Sequence, residues 1–250
     1  MEIVKFKKSK SNLYEIMLDN GLSFKLYDDV IVKYNLLVNK KFDDKFFEDV
    51  RNYNDSLDAY YLSIKYLNTK MRSEKELKKY LAKKNISQEH IESTIKRLNS
   101  EGYLNHEKYI KSYINDAYNF TNNGPLKIKS SLKDLGFKEE EITPYLNLNY
   151  SDKIKKIIDK KIKVNTKLSN NNLKLHLTNY LINLGYPKES FISYLETIHF
   201  DDSKQLQKDY ETLIKKYSKK YTGEKLKYFI KNKLYQKGYS IEKIEEVTHE

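Results

Sequence analysis

Basic residues are the groups in this 250-residue chain best placed to do chemistry, and what they offer is the binding of anions. Lys and Arg number 47 against 35 acids, a net charge of +12. Many of them fall in rows between apolar residues: Arg72, Lys75, Lys78, Lys79, Lys83 and Lys84, then Lys127, Lys129 and Lys133, then Lys225, Lys227, Lys231 and Lys233. Such a row on a helix can follow a polyanion or line an acidic groove. The plain alternative is the solvated side of an amphipathic helix in a chain whose usual polar residue is Lys. The charge is unevenly spread, with residues 1–70 at net +1 and residues 71–250 at net +11, and this favours binding.

Bond-making chemistry finds little support. The five histidines, His90, His106, His176, His199 and His249, are scattered and form no HExxH pair. No glycine-rich phosphate loop occurs, and the absence of Cys removes thiolate nucleophiles and thiolate metal sites. The acid runs Glu139–Glu141 and Asp201–Asp202 stand where the first turn of a helix favours negative charge. The expectation is therefore no catalytic residue, no metal and no cofactor.

The elements that position the basic rows repeat. Aligned on Asn85, Gly136, Gly185 and Gly238, four segments share their register. Eight residues earlier stand Leu77, Ile128, Leu177 and Ile230, and four earlier Leu81, Leu132, Leu181 and Leu234. One later come Ile86, Phe137, Tyr186 and Tyr239; four later a Glu each time; six later Ile91, Ile142, Phe191 and Ile244. The apolar pair four apart marks one face of a helix, and the Gly or Asn marks its left-handed end. A second helix then starts at Ser87, Pro187 or Ser240. A third follows, capped by Asn105 in the first copy and Ser151 in the second. Most of the 23 tyrosines sit at core spacing and are read as packing.

Ahead of the repeats, residues 1–42 alternate apolar and charged residues around a turn signal at Asp19–Gly21 and predict a small β-meander, with 29–36 as a further strand or edge. Residues 43–70 predict one long helix or two short ones, with Asp43 as N-cap. The fold class is mainly α: three-helix modules at 71–121, 122–169 and 170–220, then a two-helix partial module at 221–250. Seven Gly and three Pro in the chain suit helices better than tight-turned sandwiches. With no run of about 20 apolar residues and no apolar signal segment, a soluble cytoplasmic protein is expected.

The stretch Arg72-Ser73 with Glu76-Leu77, the step Gly102-Tyr103-Leu104-Asn105 with Tyr109, and Gly124-Pro125 with Lys127-Ile128 together resemble the RecX family, bacterial regulators of the RecA recombinase. The resemblance covers about residues 71–250, and the leading β segment and extra repeat are similar to the longer RecX proteins of low-GC Gram-positive bacteria. It implies an elongated, curved array of tandem three-helix repeats in a monomer without enzymatic activity. It also implies lodging in the groove of the RecA–ssDNA filament and inhibition of strand exchange and ATP hydrolysis, a role in DNA repair. Lys127 and Lys129 match positions usually basic in the family; Asn123 and Ser131 depart from its pattern. The alternative reading is a helical array that binds nucleic acid directly.

Overall fold

A computed structural model describes residues 1–9, 12–165 and 167–249. By internal contact the chain forms two compact units, Met1–Tyr109 and Ile110–Glu250.

The first unit begins with an antiparallel meander: β1 (Ile3–Lys8), β2 (Leu13–Leu18) and β3 (Ser23–Tyr27), in the order β1-β2-β3. Ile16 is paired with Phe6 on one side and Phe24 on the other. The expected turn at Asp19–Gly21 joins β2 to β3, with Gly21 at φ +83°. Short strands of this kind hold when their apolar face is covered. Ile3, Ile16, Leu18 and Leu26 accordingly bury one face against Val30, Ile31, Leu36, Val50 and Leu57.

The segment expected as a further strand is instead a helix, α1 (Asp28–Lys33). Val30 and Ile31 are buried while Val32 is 77% exposed, which is the burial of neighbouring residues that a helix gives and an alternating strand does not. The cause lies just upstream. Tyr27 is pinned to the next helix by its backbone N–H, which donates to Asn54, and by its hydroxyl, which donates to Asp58 at 2.6 Å. Asp28 and Asp29 then fall in a first turn, where the helix dipole favours acids.

That next helix is continuous: α2 runs from Asp44 to Leu67, its first turn capped by the Asp43 carboxylate accepting from the Phe46 N–H at 2.8 Å. At 1.5 Å per residue it is about 36 Å long, enough to serve two cores. Its first half packs on the sheet. Its second half, through Tyr60, Ile64 and Leu67, closes a three-helix core with α3 (Glu74–Ala82) and α4 (Gln88–Ser100). Ser73 and Glu76 form the capping box of α3, and Asn105 caps α5 (His106–Phe120) by accepting from the Lys108 N–H.

The second unit is built from α5 from Ile110 onward, followed by α6 (Pro125–Asp134), α7 (Glu139–Ile142), α8 (Ser151–Lys163), α9 (Asn170–Asn183), α10 (Ile192–Thr197), α11 (Ser203–Tyr217), α12 (Gly223–Gln236) and α13 (Ile241–His249). α11, α12 and α13 share a core of Leu206, Leu213, Ile230, Leu234, Tyr239 and Ile244. This is the arrangement of α2, α3 and α4: a long helix, a first helix carrying the Leu column, and a second helix after the joint. In both cores the long helix that completes the set precedes the joint pair in sequence.

Two details differ from the sequence reading. Ser151 is not a cap: Asn149 accepts the Ser151 N–H at 2.9 Å, so Ser151 already lies inside α8. The second helices of the middle copies are also short. Thr143 and Pro144 tighten the end of α7 into a 3-10 turn, and a 3-10 turn at Lys188–Ser190 precedes α10, with the buried Phe191 between them at φ −140°.

The joints themselves are uniform. Asn85, Gly136, Gly185 and Gly238 have φ of +60°, +99°, +87° and +81°. In each copy the residue after the joint donates its N–H back to the carbonyl of the column leucine: Ile86 to Leu81, Phe137 to Leu132, Tyr186 to Leu181 and Tyr239 to Leu234. The columns at eight and four residues before the joint and at six after it are buried in every copy.

Candidate partner-binding surface

In the first unit some members of the basic row brace the fold and others are exposed. Arg72 lies 4.2 Å over the Tyr66 ring and 3.5 Å from Glu76, with only 17% of its side chain exposed. Glu76 is itself committed, accepting from the Ser73 N–H and the Tyr109 hydroxyl. Arg72 therefore ties the α2–α3 connection together. Lys78 reaches Glu74 at 3.9 Å, while Lys75, Lys79, Lys83 and Lys84 are exposed along α3 and its end.

The second unit repeats the division. Lys129 and Lys133 on α6 straddle Glu139 at the start of α7, at 2.6 and 3.2 Å, and hold its carboxyl below the usual carboxylate range. Lys231 on α12 reaches both oxygens of Glu245 on α13 at 2.6 Å. These lysines link first helix to second. Lys127, Lys225 and Lys227 form no ion pair among the described residues; Lys127 and Lys225 are exposed and Lys227 is half-buried.

Between the outward lysines lies a feature that the sequence reading missed. Ten residues before the joints stand Leu126, Leu175 and Tyr228, which are 53%, 60% and 72% exposed. Three before the joints stand Ile182 and Tyr235, also exposed. Positions seven apart share a helix face, so α9 and α12 each carry an apolar pair on the side away from their buried leucines. In α6 the pair is Leu126 and Lys133. The signal was present in the same register that revealed the joints, at offsets of ten and three.

Buried charge elsewhere in this unit is structural. Asp202, 5% exposed, accepts from the Asn170 N–H at 2.8 Å and pairs with Lys243. Among the described residues no three His, Asp or Glu side chains gather as a metal site, and no helix is long and apolar enough to cross a membrane.

Known proteins share this arrangement. The family model for the first three-helix domain of RecX matches residues 59–98, which take in the end of α2 together with α3 and α4. The regulatory protein RecX of Streptococcus agalactiae serotype Ia is 31% identical over 100% of this chain and 99% of its own length. This chain belongs to the RecX family. The regulatory protein RecX of Oceanobacillus iheyensis is 29% identical over 95% of this chain and 93% of its own. A crystal structure of regulatory protein RecX superposes with a TM-score of 0.65 at 21% identity, covering 77% of this chain and 98% of that one. RecX from Lactobacillus salivarius gives 0.52 at 23%, covering 58% and 99%. These structures share the fold, and the curated relatives carry it as regulatory proteins.

Proposed function

We propose that the chain regulates RecA without catalysing a reaction, by binding the RecA–ssDNA filament as a monomer and restraining its ATP turnover and strand exchange. The observation that carries this reading is the recurrence of an exposed apolar column on the outward face. Leu126, Leu175 and Tyr228 occupy one equivalent position of successive copies, and Ile182 and Tyr235 a second, with Lys127 near the first and Lys225 and Lys227 near the last. A ligand that repeats a face fits a partner that repeats a pocket, and a filament of identical protomers is such a partner. Each of the divisions 122–169, 170–220 and 221–250 supplies one face; 71–121 supplies its lysine-rich counterpart on α3. Linked weak contacts of this kind reinforce one another through effective concentration, provided the spacing allows simultaneous engagement. A ligand holding neighbouring protomers together opposes the rearrangements that ATP turnover requires.

The test is the ssDNA-dependent ATPase of the cognate RecA with the full chain added at stoichiometric ratio. Inhibition is expected, relieved at least tenfold in required concentration by the double substitution Tyr228→Ala and Tyr235→Ala. An unchanged ATPase with the unsubstituted chain overturns the reading.

A further inference from the structure

The lysines of α8 lie outside the rows picked out by the sequence and behave differently from them. This 13-residue helix carries six lysines against two acids, Asp152 and Asp159. Lys153, Lys156, Lys160 and Lys161 converge with Asn122 and Tyr180 on a cleft of about 410 Å³ floored by Ile157, and no acid lines it. Asp159 is engaged elsewhere, accepting from the Tyr194 hydroxyl. Lys153 is held in place by donating to the Tyr118 carbonyl, and burial lowers its amine pKa. Lys161 lies 4.3 Å over the Tyr180 ring. Lys156 and Lys160 are exposed and without an ion pair among the described residues, although a like-charged pair four apart weakens a helix. On α6 and α12, by contrast, Lys129, Lys133 and Lys231 each have a carboxylate within 3.2 Å.

We propose that this cleft seats the phosphodiester backbone of a single-stranded nucleic acid, with the Tyr180 ring as a wall against which a base can lie. The four ammonium groups follow one side of α8 over eight residues, roughly 12 Å of helix axis. That suits a flexible strand bearing a charge at every nucleotide. All of the charged lining is cationic, so the cleft recognises the backbone and not the sequence. An acidic peptide would also need partners for its amides, and the uncharged polar lining offers only Asn122 and the Tyr180 hydroxyl. The inference deepens the DNA half of the proposed function and rests on that reading for its setting, but its test needs no RecA.

The experiment is fluorescence anisotropy of labelled dT15 with the full chain, over a range of salt. The variant is Lys156→Gln, Lys160→Gln and Lys161→Gln; the control, with the same charge removed from α11, is Lys204→Gln, Lys208→Gln and Lys215→Gln. Circular dichroism verifies the fold of both. The cleft variant is expected to bind at least tenfold more weakly, and its log–log salt slope to be shallower by about 2, at about 0.7 per lost contact on a single strand. Equal weakening in the control overturns the site, as does unchanged binding in the cleft variant. Competition by polyglutamate or inorganic polyphosphate as strong as by unlabelled dT15, at equal charge, overturns the ligand. RecA ATPase measured in parallel keeps the readings apart: dT15 binding through the cleft without any effect on RecA upholds the cleft and overturns the proposed regulation.

Discussion

The set formed by the end of α2, α3 and α4 and the set formed by α11, α12 and α13 share an interior and differ outside. Inside, Leu77, Leu81 and Ile91 in one correspond to Ile230, Leu234 and Ile244 in the other, all buried. Outside, the positions ten and three residues before the joint hold Lys75 and Ala82 in one, and Tyr228 and Tyr235 in the other. The repeat therefore constrains the half of each helix that packs and leaves the other half free to specialise. Function is to be sought in the columns that vary.

The largest effect should leave the two sets indistinguishable. Leu81→Ala and Leu234→Ala each empty a side chain that is 0% exposed, and each should cost about 3–5 kcal/mol. Native-state hydrogen exchange resolves the loss set by set. A loss several-fold smaller in one set would break the equivalence of the two interiors.

The joints come next, and here the sets should part. Asn85 needs only its left-handed conformation, so Asn85→Ala should cost about 1 kcal/mol. Gly238 is also pressed upon: a Cβ there would lie 2.8 Å from both Ser169 Oγ and Asn172 Oδ1, and those two side chains donate to the Lys237 carbonyl. Gly238→Ala should cost about 2–3 kcal/mol, conformational strain plus overpacking. Gly185 is confined further, since a Cβ would come within 2.4 Å of the Lys127 backbone, where the Leu126 N–H donates to the Gly185 carbonyl. Chemical denaturation of the three variants gives the order Asn85→Ala, Gly238→Ala, Gly185→Ala, from mildest to most severe.

These positions also show how far the sequence could be read. The joints, the buried columns, the Asp43 and Asn105 caps and the Ser73–Glu76 box depend on local chemistry at fixed offsets, and a single chain displays them. The helix α1 was hidden because its burial depends on Tyr27 being held by Asn54 and Asp58, about thirty residues away. Lys129 and Lys231 pass for free cations because nothing local says that Glu139 and Glu245 will meet them, whereas Arg72 stands four residues before Glu76, a spacing the sequence does display. The exposed column was overlooked because apolar residues were assigned to the interior, whereas apolar residues cover much of a folded surface too and only their recurrence at one position is informative. The α8 lysines belong to none of the basic rows in the sequence, and only the cleft shows that they converge.

A smaller effect on stability, with a larger one on binding, is expected from the outward columns. Tyr228→Ala with Tyr235→Ala should change unfolding by less than about 0.5 kcal/mol, as exposed sites do, while weakening capture by RecA filaments at least tenfold. Lys75→Ala on α3 should weaken it less than threefold. Filament co-sedimentation compares them, and equal losses would remove the distinction between the two outer faces.

The smallest effect is confined to alkaline solution. The column after the joint holds Ile86 in the first set and Tyr239 in the last, where burial, followed by the hydroxyl's hydrogen bond to Asp209, pushes the Tyr239 pKa upward. Tyr186, in the same column, is pushed up to about 12, chiefly by burial. A phenol whose folded pKa is raised favours the folded state fully while pH stays below its unfolded value near 10, and that contribution fades as pH climbs from there toward the folded value. The melting temperature should therefore fall as pH rises from about 10 toward 12, and Tyr186→Phe with Tyr239→Phe should flatten the fall by a few degrees. The two substitutions should act through α9, α12 and α13 and leave unchanged the alkaline response of the α2–α4 set, where burial raises the Tyr60 pKa. A pH profile unchanged by the two substitutions would mean that these hydroxyls find solvent in the folded chain, and that the column tolerates a phenol as readily as an isoleucine.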